Sequence, residues 1–304
     1  MRGCTLCPRR CAVDRNSGER GICGQTSELK VARAALHHWE EPCISGTRGS
    51  GAVFFSGCVL HCVFCQNHPI ANGTAGKNIS GERLCEIFLE LQEQGAHNIN
   101  LVTPGHFAPQ IAASLRMAKD RGLTVPIVYN TGSYESVETI QSMEGLVDIY
   151  LPDLKYASPE PAERYSHAAD YCEAAKAAIA EMVRQTGEPE FFGDYEGDPI
   201  EAGAILARGT IVRHLLLPGG SEDAKEVIRY LYETYGNRIY ISILNQFTPV
   251  GGRGKYPELN RRVTEEEYEE VVDYAIALGV ERGFIQEGGT AEESFIPEFD
   301  GQGV

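Results

Sequence analysis

At 304 residues the chain exceeds one average domain, yet barrels of alternating strands and helices often reach this length as a single unit. Its apolar share of 42% is ordinary for a globular protein, and no apolar run approaches the roughly 20 residues that span a bilayer, which sets aside a membrane protein. A formal net charge of -16 speaks against a broad nucleic-acid surface, because phosphate contacts need a clustered excess of Lys and Arg, and leaves room only for a local basic groove.

Met1-Arg2-Gly3 leads straight into a cysteine group, without the apolar core and small-residue cleavage site of a secretory signal, so a cytoplasmic location is expected. Ten cysteines in such a chain point to metal or redox chemistry rather than disulfides. Cys4, Cys7, Cys11 and Cys23, with small and turn-forming residues between them, offer four thiolates and a complete coordination shell. An auxiliary [4Fe-4S] cluster and a structural zinc both suit that set, with electron relay or fold stabilisation as the role. Cys43 is either a neighbour of one metal site or a small buried apolar residue. His37-His38-Trp39-Glu40 is read as packing, since adjacent residues of a strand face opposite sides.

From residue 50 onward, short β-branched or aromatic runs alternate with longer amphipathic stretches, the pattern of repeated βα units and a parallel sheet. Strands are expected over 52–56, 98–103, 125–130, 147–151, 211–217 and 239–244, with helices starting near Ser80, Phe107, Ser133, Asp170, Ser221 and Thr264. Thr264-Glu265-Glu266-Glu267 reads as a capping box. Residues 187–209, rich in Gly, Pro and acids, read as a loop insertion, and 283–286 as a last short strand before Gly288-Gly289. Cys85 and Cys172 fall on helices and are expected to be buried. Six units are fewer than the eight of a closed barrel. The fold class is therefore α/β, a partial (β/α)6 TIM-type barrel over 50–290, with a small Cys-rich N-terminal extension over 1–49 and a tail over 291–304 whose last ten residues pack on the body.

In such folds the site lies at the carboxyl ends of the strands. After the first strand come Cys58, Cys62 and Cys65, three thiolates that wrap one iron-sulfur cube and leave its fourth iron without a protein ligand. A zinc knuckle completed by His61 or His68 is the other reading of these residues. After the second strand stands Thr103-Pro104-Gly105-His106, in which His106 is either an acid or base or a helix-capping residue. Polar groups follow the later strands, with Asn130 and Ser133 after the third, Asp153 and Lys155 after the fourth, and Arg213 on the fifth. His106 and Lys155 are the candidate catalytic groups.

The C-x3-C-x2-C spacing, with Phe64 before its last cysteine, resembles the radical S-adenosylmethionine (SAM) superfamily. Asp153-Leu154-Lys155 and the Arg213 strand with Pro218-Gly219 resemble pyruvate formate-lyase activating enzyme, and the motifs along essentially the whole chain resemble the group labelled pyruvate formate-lyase activating enzyme-like. The resemblance implies that Cys58, Cys62 and Cys65 hold a [4Fe-4S] cluster whose open iron is chelated by SAM, and that reductive cleavage of SAM yields a 5′-deoxyadenosyl radical. It implies a SAM amino group at the Thr103-Pro104-Gly105 turn, Asp153 and Lys155 beside SAM, and Arg213 on its carboxylate. Arg213 buried against a neighbouring acid is the plainer alternative. Gly288-Gly289 is either a backbone approach to the adenine or a plain turn.

The resemblance further implies a flavodoxin or ferredoxin electron donor and a glycyl radical enzyme as target. Asn130 replaces an acidic residue of a cation site, and Asn245-Gln246 replaces a Tyr-His pair, which keeps open a small-molecule, protein or RNA target. A non-catalytic iron-sulfur or zinc protein is the third class of function.

Overall fold

Period-two runs that are apolar on both faces cannot stay in water, and helices alternating with them supply the cover a parallel sheet needs. The computed structural model of the chain, which describes residues 3–249, 254–286 and 297–304, shows this arrangement. Six parallel strands follow the expected order: β2 (Ser50–Phe55), β4 (Ile99–Val102), β5 (Ile127–Thr131), β6 (Ile149–Pro152), β8 (Leu206–Leu215) and β9 (Tyr240–Leu244). A seventh, β10 (Gly283–Ile285), runs parallel to β9. The fold is α/β, with a mostly parallel open sheet.

Two strands lie beyond the six-unit expectation at the other edge. β1 (Leu29–His37) pairs antiparallel with β2, and β3 (Lys77–Ile79) pairs antiparallel with β1. β1 belongs to the cysteine-rich extension by sequence and to the sheet by hydrogen bonding. The described tail, 297–304, continues that edge, because the Gly301 amide donates to the Ala32 carbonyl at 3.1 Å and the Ala34 amide to the Gln302 carbonyl at 2.9 Å. Residues 288, 289, 295 and 296, which include the Gly288-Gly289 turn, lie outside the described residues.

The loop expected over 187–209 is shorter than its composition suggested. β7 (Glu190–Phe191) pairs with the start of β8, and Arg208 donates from Nε and Nη2 to the carbonyls of Thr186 and Gln185 at 2.9 and 2.5 Å, tying the strand to the end of the preceding helix. Gly, Pro and acidic residues suppress strand propensity, but here the partner strand and the arginine outweigh it.

The helices are α1 (Pro42–Ser45), α2 (His68–Ala71), α3 (Gly81–Glu93), α4 (Ala108–Asp120), α5 (Val137–Gln141), α6 (Pro159–Ser166), α7 (Tyr171–Thr186), α8 (Ser221–Tyr235) and α9 (Glu265–Leu278). α5 does not start at Ser133. That residue has a left-handed φ of 64°, incompatible with a helical turn, and the cap falls to Ser136, whose Oγ accepts from the Thr139 amide at 3.3 Å. Among the described residues no helix is long and apolar enough to cross a membrane. Cys43 packs with Ile44, Val128, Ile149 and Leu151 as an apolar residue, and Cys85 and Cys172 are buried in two further clusters.

The capping box is present. Thr264 Oγ1 accepts from the Glu267 amide at 3.2 Å while Glu267 Oε2 accepts from the Thr264 amide at 2.9 Å. Thr264→Ala is expected to cost about 1 kcal/mol, read as a lower urea midpoint at unchanged m-value.

Candidate active site

The carboxyl ends of the parallel strands open on a cleft of about 250 Å³. The loop after β2 forms one wall. Gly57 turns it with a φ of 91°, and a side chain there would meet the Cys23 carbonyl at 2.5 Å, so only glycine fits. Cys58, Cys62 and Cys65 follow, all half-buried and all lining the cleft. Phe64 anchors the loop among Tyr156, Tyr165 and Phe247, and the Val63 amide donates to the Tyr165 carbonyl at 2.8 Å. The aromatic residue before the last cysteine is thus a packing anchor that holds the three sulfurs at the cleft.

Two of these sulfurs accept hydrogen bonds, Cys62 from Ser166 Oγ at 3.1 Å and Cys58 from the Leu60 amide at 3.4 Å. Burial pushes the Cys65 thiol up to about 12, reinforced by Cys62 and Cys58 beside it. Burial also raises Cys62, against the pull of Lys155. Alone, these thiols keep their protons; a bound metal supplies the charge that releases them. Among the described residues no three His, Cys, Asp or Glu side chains are drawn together as ligands of a single ion, a closeness that a cube wider than one ion does not require. His61 Nε2 donates to the Ile22 carbonyl at 2.7 Å, and among the described residues neither it nor His68 joins the cysteines in a group that could hold a single metal ion. Three soft sulfurs with hydrogen-bond support fit an iron-sulfur cube with one iron free.

Across the cleft the strand ends carry a half-buried charge network. Arg213 on β8 donates from Nε to Asp153 Oδ1 at 2.8 Å, from Nη1 to Glu40 Oε2 at 3.1 Å and from Nη2 to Asn130 Oδ1 at 2.6 Å. Lys155 Nζ donates to Asp153 Oδ2 at 2.7 Å, and Asn100 Nδ2 to Glu40 Oε1 at 2.9 Å. Burial works to raise the Asp153 pKa, but Arg213 and Lys155 together hold it below the ordinary value. Burial likewise works against the Lys155 ammonium, and Asp153 with Cys62 raises its pKa instead. Both residues stay charged. A guanidinium has five N–H donors; the network takes three of them, so Arg213 is half-buried against acids and still has donors for a carboxylate ligand.

The turn after β4 is strained. Thr103 holds a φ of 58°, rare for a β-branched residue, with its amide donating to the Asn130 carbonyl at 2.8 Å. Gly105 lies against Glu135, where an added side chain would come within 2.1 Å of Oε2. Glu135 is buried, accepts from Thr131 Oγ1 at 2.7 Å, and is pushed up to about 7 by that burial. His106 Nε2 donates to the Ser56 carbonyl, 2.7 Å away, and burial lowers its pKa to about 4. The cleft brings together Thr103, Gly105, His106, Asn130, Asp153, Lys155 and Arg213 with the three cysteines. Pro104 and Ser133 are not on its wall, and Ser133 Oγ is buried without a partner.

The N-terminal cysteines form a second group. The chain doubles back through hydrogen bonds of 3.0 Å from the Cys4 amide to the Val13 carbonyl and 3.1 Å from the Ala12 amide to the Cys4 carbonyl. Cys4, Cys7 and Cys23 are buried and Cys11 half-buried. Burial lifts Cys7 to about 12, with Glu135, Cys23 and Cys11 adding, and Cys23 rises by burial with Cys4 and Cys11 adding. The four thiols make a donor set whose chemistry suits a four-thiolate cube, while among the described residues they are not drawn together around a single ion.

Sequence patterns overlooked Glu40 and Glu135. Glu40 sits in the His37-His38-Trp39-Glu40 run read as packing, and the available signal was two consecutive acids before Pro42. Glu135 follows the third strand by four residues, in the zone where cleft residues are found.

No family model matches the chain. It is 27% identical over 285 residues to an uncharacterized protein of Methanocaldococcus jannaschii, covering 90% of this chain and 75% of that one. SuiB of Streptococcus suis, bound to S-adenosylmethionine, superposes with a TM-score of 0.51 at 13% identity, over 77% of this chain and 49% of SuiB. A radical SAM methyltransferase from Sphaerobacter thermophilus superposes with a TM-score of 0.49 at 16% identity, over 77% of this chain and 65% of that one. The chain therefore spans about half the length of SuiB. At such identity the likeness is one of fold alone, and over about three quarters of this chain the fold resembles that of SuiB.

Histidine 106 gives the site a pH signature. With a folded pKa of about 4 against an ordinary 6.5, the unfolded chain binds a proton the folded one refuses. Stability is therefore lost as pH falls from about 6.5 to 4, by at most about 3 kcal/mol. His106→Gln keeps a donor for the Ser56 carbonyl and removes the titration. Its urea midpoint is expected to fall less than that of the wild type between pH 7 and pH 4; equal falls contradict the buried neutral imidazole.

Proposed function

We propose that this protein is a radical S-adenosylmethionine enzyme. The observation that carries the reading is the placement of three thiols on a cleft whose facing wall holds a half-buried arginine, lysine and aspartate paired with one another. When bound, the [4Fe-4S] cluster and SAM supply a reductively generated 5′-deoxyadenosyl radical that removes a hydrogen atom from a target.

The chain's own residues have the tasks of binding, orientation and exclusion of water. Cys58, Cys62 and Cys65 hold the cluster, and Ser166 and the Leu60 amide temper its sulfurs through hydrogen bonds. The remaining donors of Arg213 suit a carboxylate bidentately. Lys155 and Asp153, locked to each other, offer fixed charge beside the sulfurs rather than a mobile proton, so Lys155 is better suited to positioning than to acid–base work. Carbonyls of the strained Thr103 turn and the Glu135 carboxylate suit an ammonium. His106, neutral and tied to backbone, supports the turn.

For the target, the match of Asp153-Leu154-Lys155 and Arg213 to activating enzymes supports hydrogen abstraction from a glycine of a partner glycyl radical enzyme, with a flavodoxin or ferredoxin as reductant. SuiB has also been seen bound to its precursor peptide SuiA, which supports a polypeptide as the class of target. Asn245 and Gln246 in place of a Tyr-His pair favour a second reading, radical modification of a small molecule, another protein or RNA. Of these, RNA is least suited to a chain of net charge -16.

The test is anaerobic reconstitution with iron and sulfide, then dithionite and SAM, with 5′-deoxyadenosine assayed. The wild type is expected to form it and Cys62→Ala to fall to background. Wild type that binds zinc and cleaves no SAM would make the non-catalytic class correct. A glycine-centred radical on a co-incubated glycyl radical enzyme supports the activase reading; deoxyadenosine without that signal supports the second.

A further inference from the structure

The two cysteine groups are separate in sequence and bolted together in space, through residues that lie beside or between their ligands. Arg9, between Cys7 and Cys11, donates from Nε to the Val59 carbonyl at 3.0 Å, next to Cys58. Its Nη2 donates to the Ser166 carbonyl at 3.1 Å, and the same Ser166 donates through Oγ to Cys62 Sγ. Its Nη1 reaches the carbonyl of His167, and its guanidinium lies 5.0 Å from the Tyr134 ring, on the cleft wall. His61, between Cys58 and Cys62, holds a left-handed φ of 52° and contacts the Ile22 carbonyl through Nε2, next to Cys23. The Cys23 carbonyl itself lies against Gly57, the residue before Cys58.

The strain at His61 needs an external restraint to persist, and the restraint comes from residue 22. Residues 9, 22 and 23 sit in irregular turns that are pinned to the body at other points, Leu6 through Ser136 and Thr139 and Arg15 through the His106 carbonyl, and none of these bonds is made by residue 9, 22 or 23 itself. A metal gripping Cys4, Cys7, Cys11 and Cys23 would fix all three at once, because Cys23 is a ligand, Ile22 adjoins it and Arg9 stands midway between Cys7 and Cys11.

We propose that metal bound by the N-terminal cysteines orders the 57–62 loop of the cleft through Arg9, His61 and Gly57, so that loading of the first site governs loading of the second. Arg9 and His61 are then positioning residues. Arg9 suits this because a planar fork with several donors can hold three carbonyls at fixed angles, which an ammonium cannot. The inference rests on the functional reading for the meaning of the second site, but the mechanical link does not depend on SAM chemistry.

The test uses the full chain carrying Cys58→Ala, Cys62→Ala and Cys65→Ala, in which only the N-terminal site can load. Zinc ion, and separately ferrous iron with sulfide, is added under argon, metal content is measured, and amide exchange is followed by mass spectrometry. Loading is expected to slow exchange in 3–27 and also, by about tenfold, in 57–62, which corresponds to roughly 1.4 kcal/mol of local stabilisation. Adding Arg9→Ala and His61→Ala is expected to keep the metal and the protection of 3–27 while abolishing that of 57–62. His61→Ala alone, a milder change, is expected to remove part of it.

A merely structural role for Arg9 and His61 would change exchange equally with and without metal. Protection confined to 3–27, or a chain that takes up neither metal, overturns the proposal. Wild type that cleaves SAM while protection stays confined to 3–27 refutes this inference alone. Transmitted protection in a chain that cleaves no SAM refutes the functional reading alone.

Discussion

The Arg213 guanidinium is the constraint on which the cleft depends. It stands on β8 and reaches Asp153 after β6, Asn130 on β5 and Glu40 beyond β1, while Glu40 also receives Asn100 from β4. An open sheet has no closure to fix its strand ends relative to one another, and here a single half-buried cation does so. The cost of desolvating these charges is several kcal/mol per ion, and it is offset only because nearly every oxygen has a donor. Burying such a network makes sense at a ligand site, where fixed charge in a water-poor cleft interacts strongly. It makes less sense as a source of stability.

From this follows a division of labour between the cleft walls. The wall of β6 and β8 is rigid and charged; the opposite wall is the loop from Gly57 to Cys65, irregular and held from outside by Phe64 packing and by Arg9. Regular structure cannot wrap three sulfurs around one cube, so the loop must be irregular, and irregular backbone needs external partners for its polar groups. The N-terminal segment supplies them. Its four thiols and the three of the loop thus belong to one construction, although only the loop's sulfurs face the cleft.

Much of this was legible in the sequence, for physical reasons. Parallel strands buried on both faces leave continuous apolar runs, and the six expected ones all appear, with Thr264-Glu265-Glu266-Glu267 capping α9 as its residue types require. The cysteine spacings and the placement of Asp153, Lys155 and Arg213 after or on strands located the cleft. β1 was obscured because Lys30, Arg33 and His37 interrupt its apolar run, and its partners lie in β2 and in the tail. Ser133 looked like a helix start from its side chain, while its backbone is left-handed, a property composition does not carry. Glu40 was hidden because its role comes from Arg213, a hundred and seventy-three residues away, and no local pattern encodes that pairing.

The central claim is that Cys58, Cys62 and Cys65 hold a cluster with an iron open to SAM. Its most direct test is the EPR spectrum of the reduced, iron-loaded wild type with and without SAM, beside the variant lacking these three cysteines. The account predicts a wild-type signal that SAM alters and that the variant lacks. A spectrum indifferent to SAM, or an equal SAM response from the variant, would contradict it.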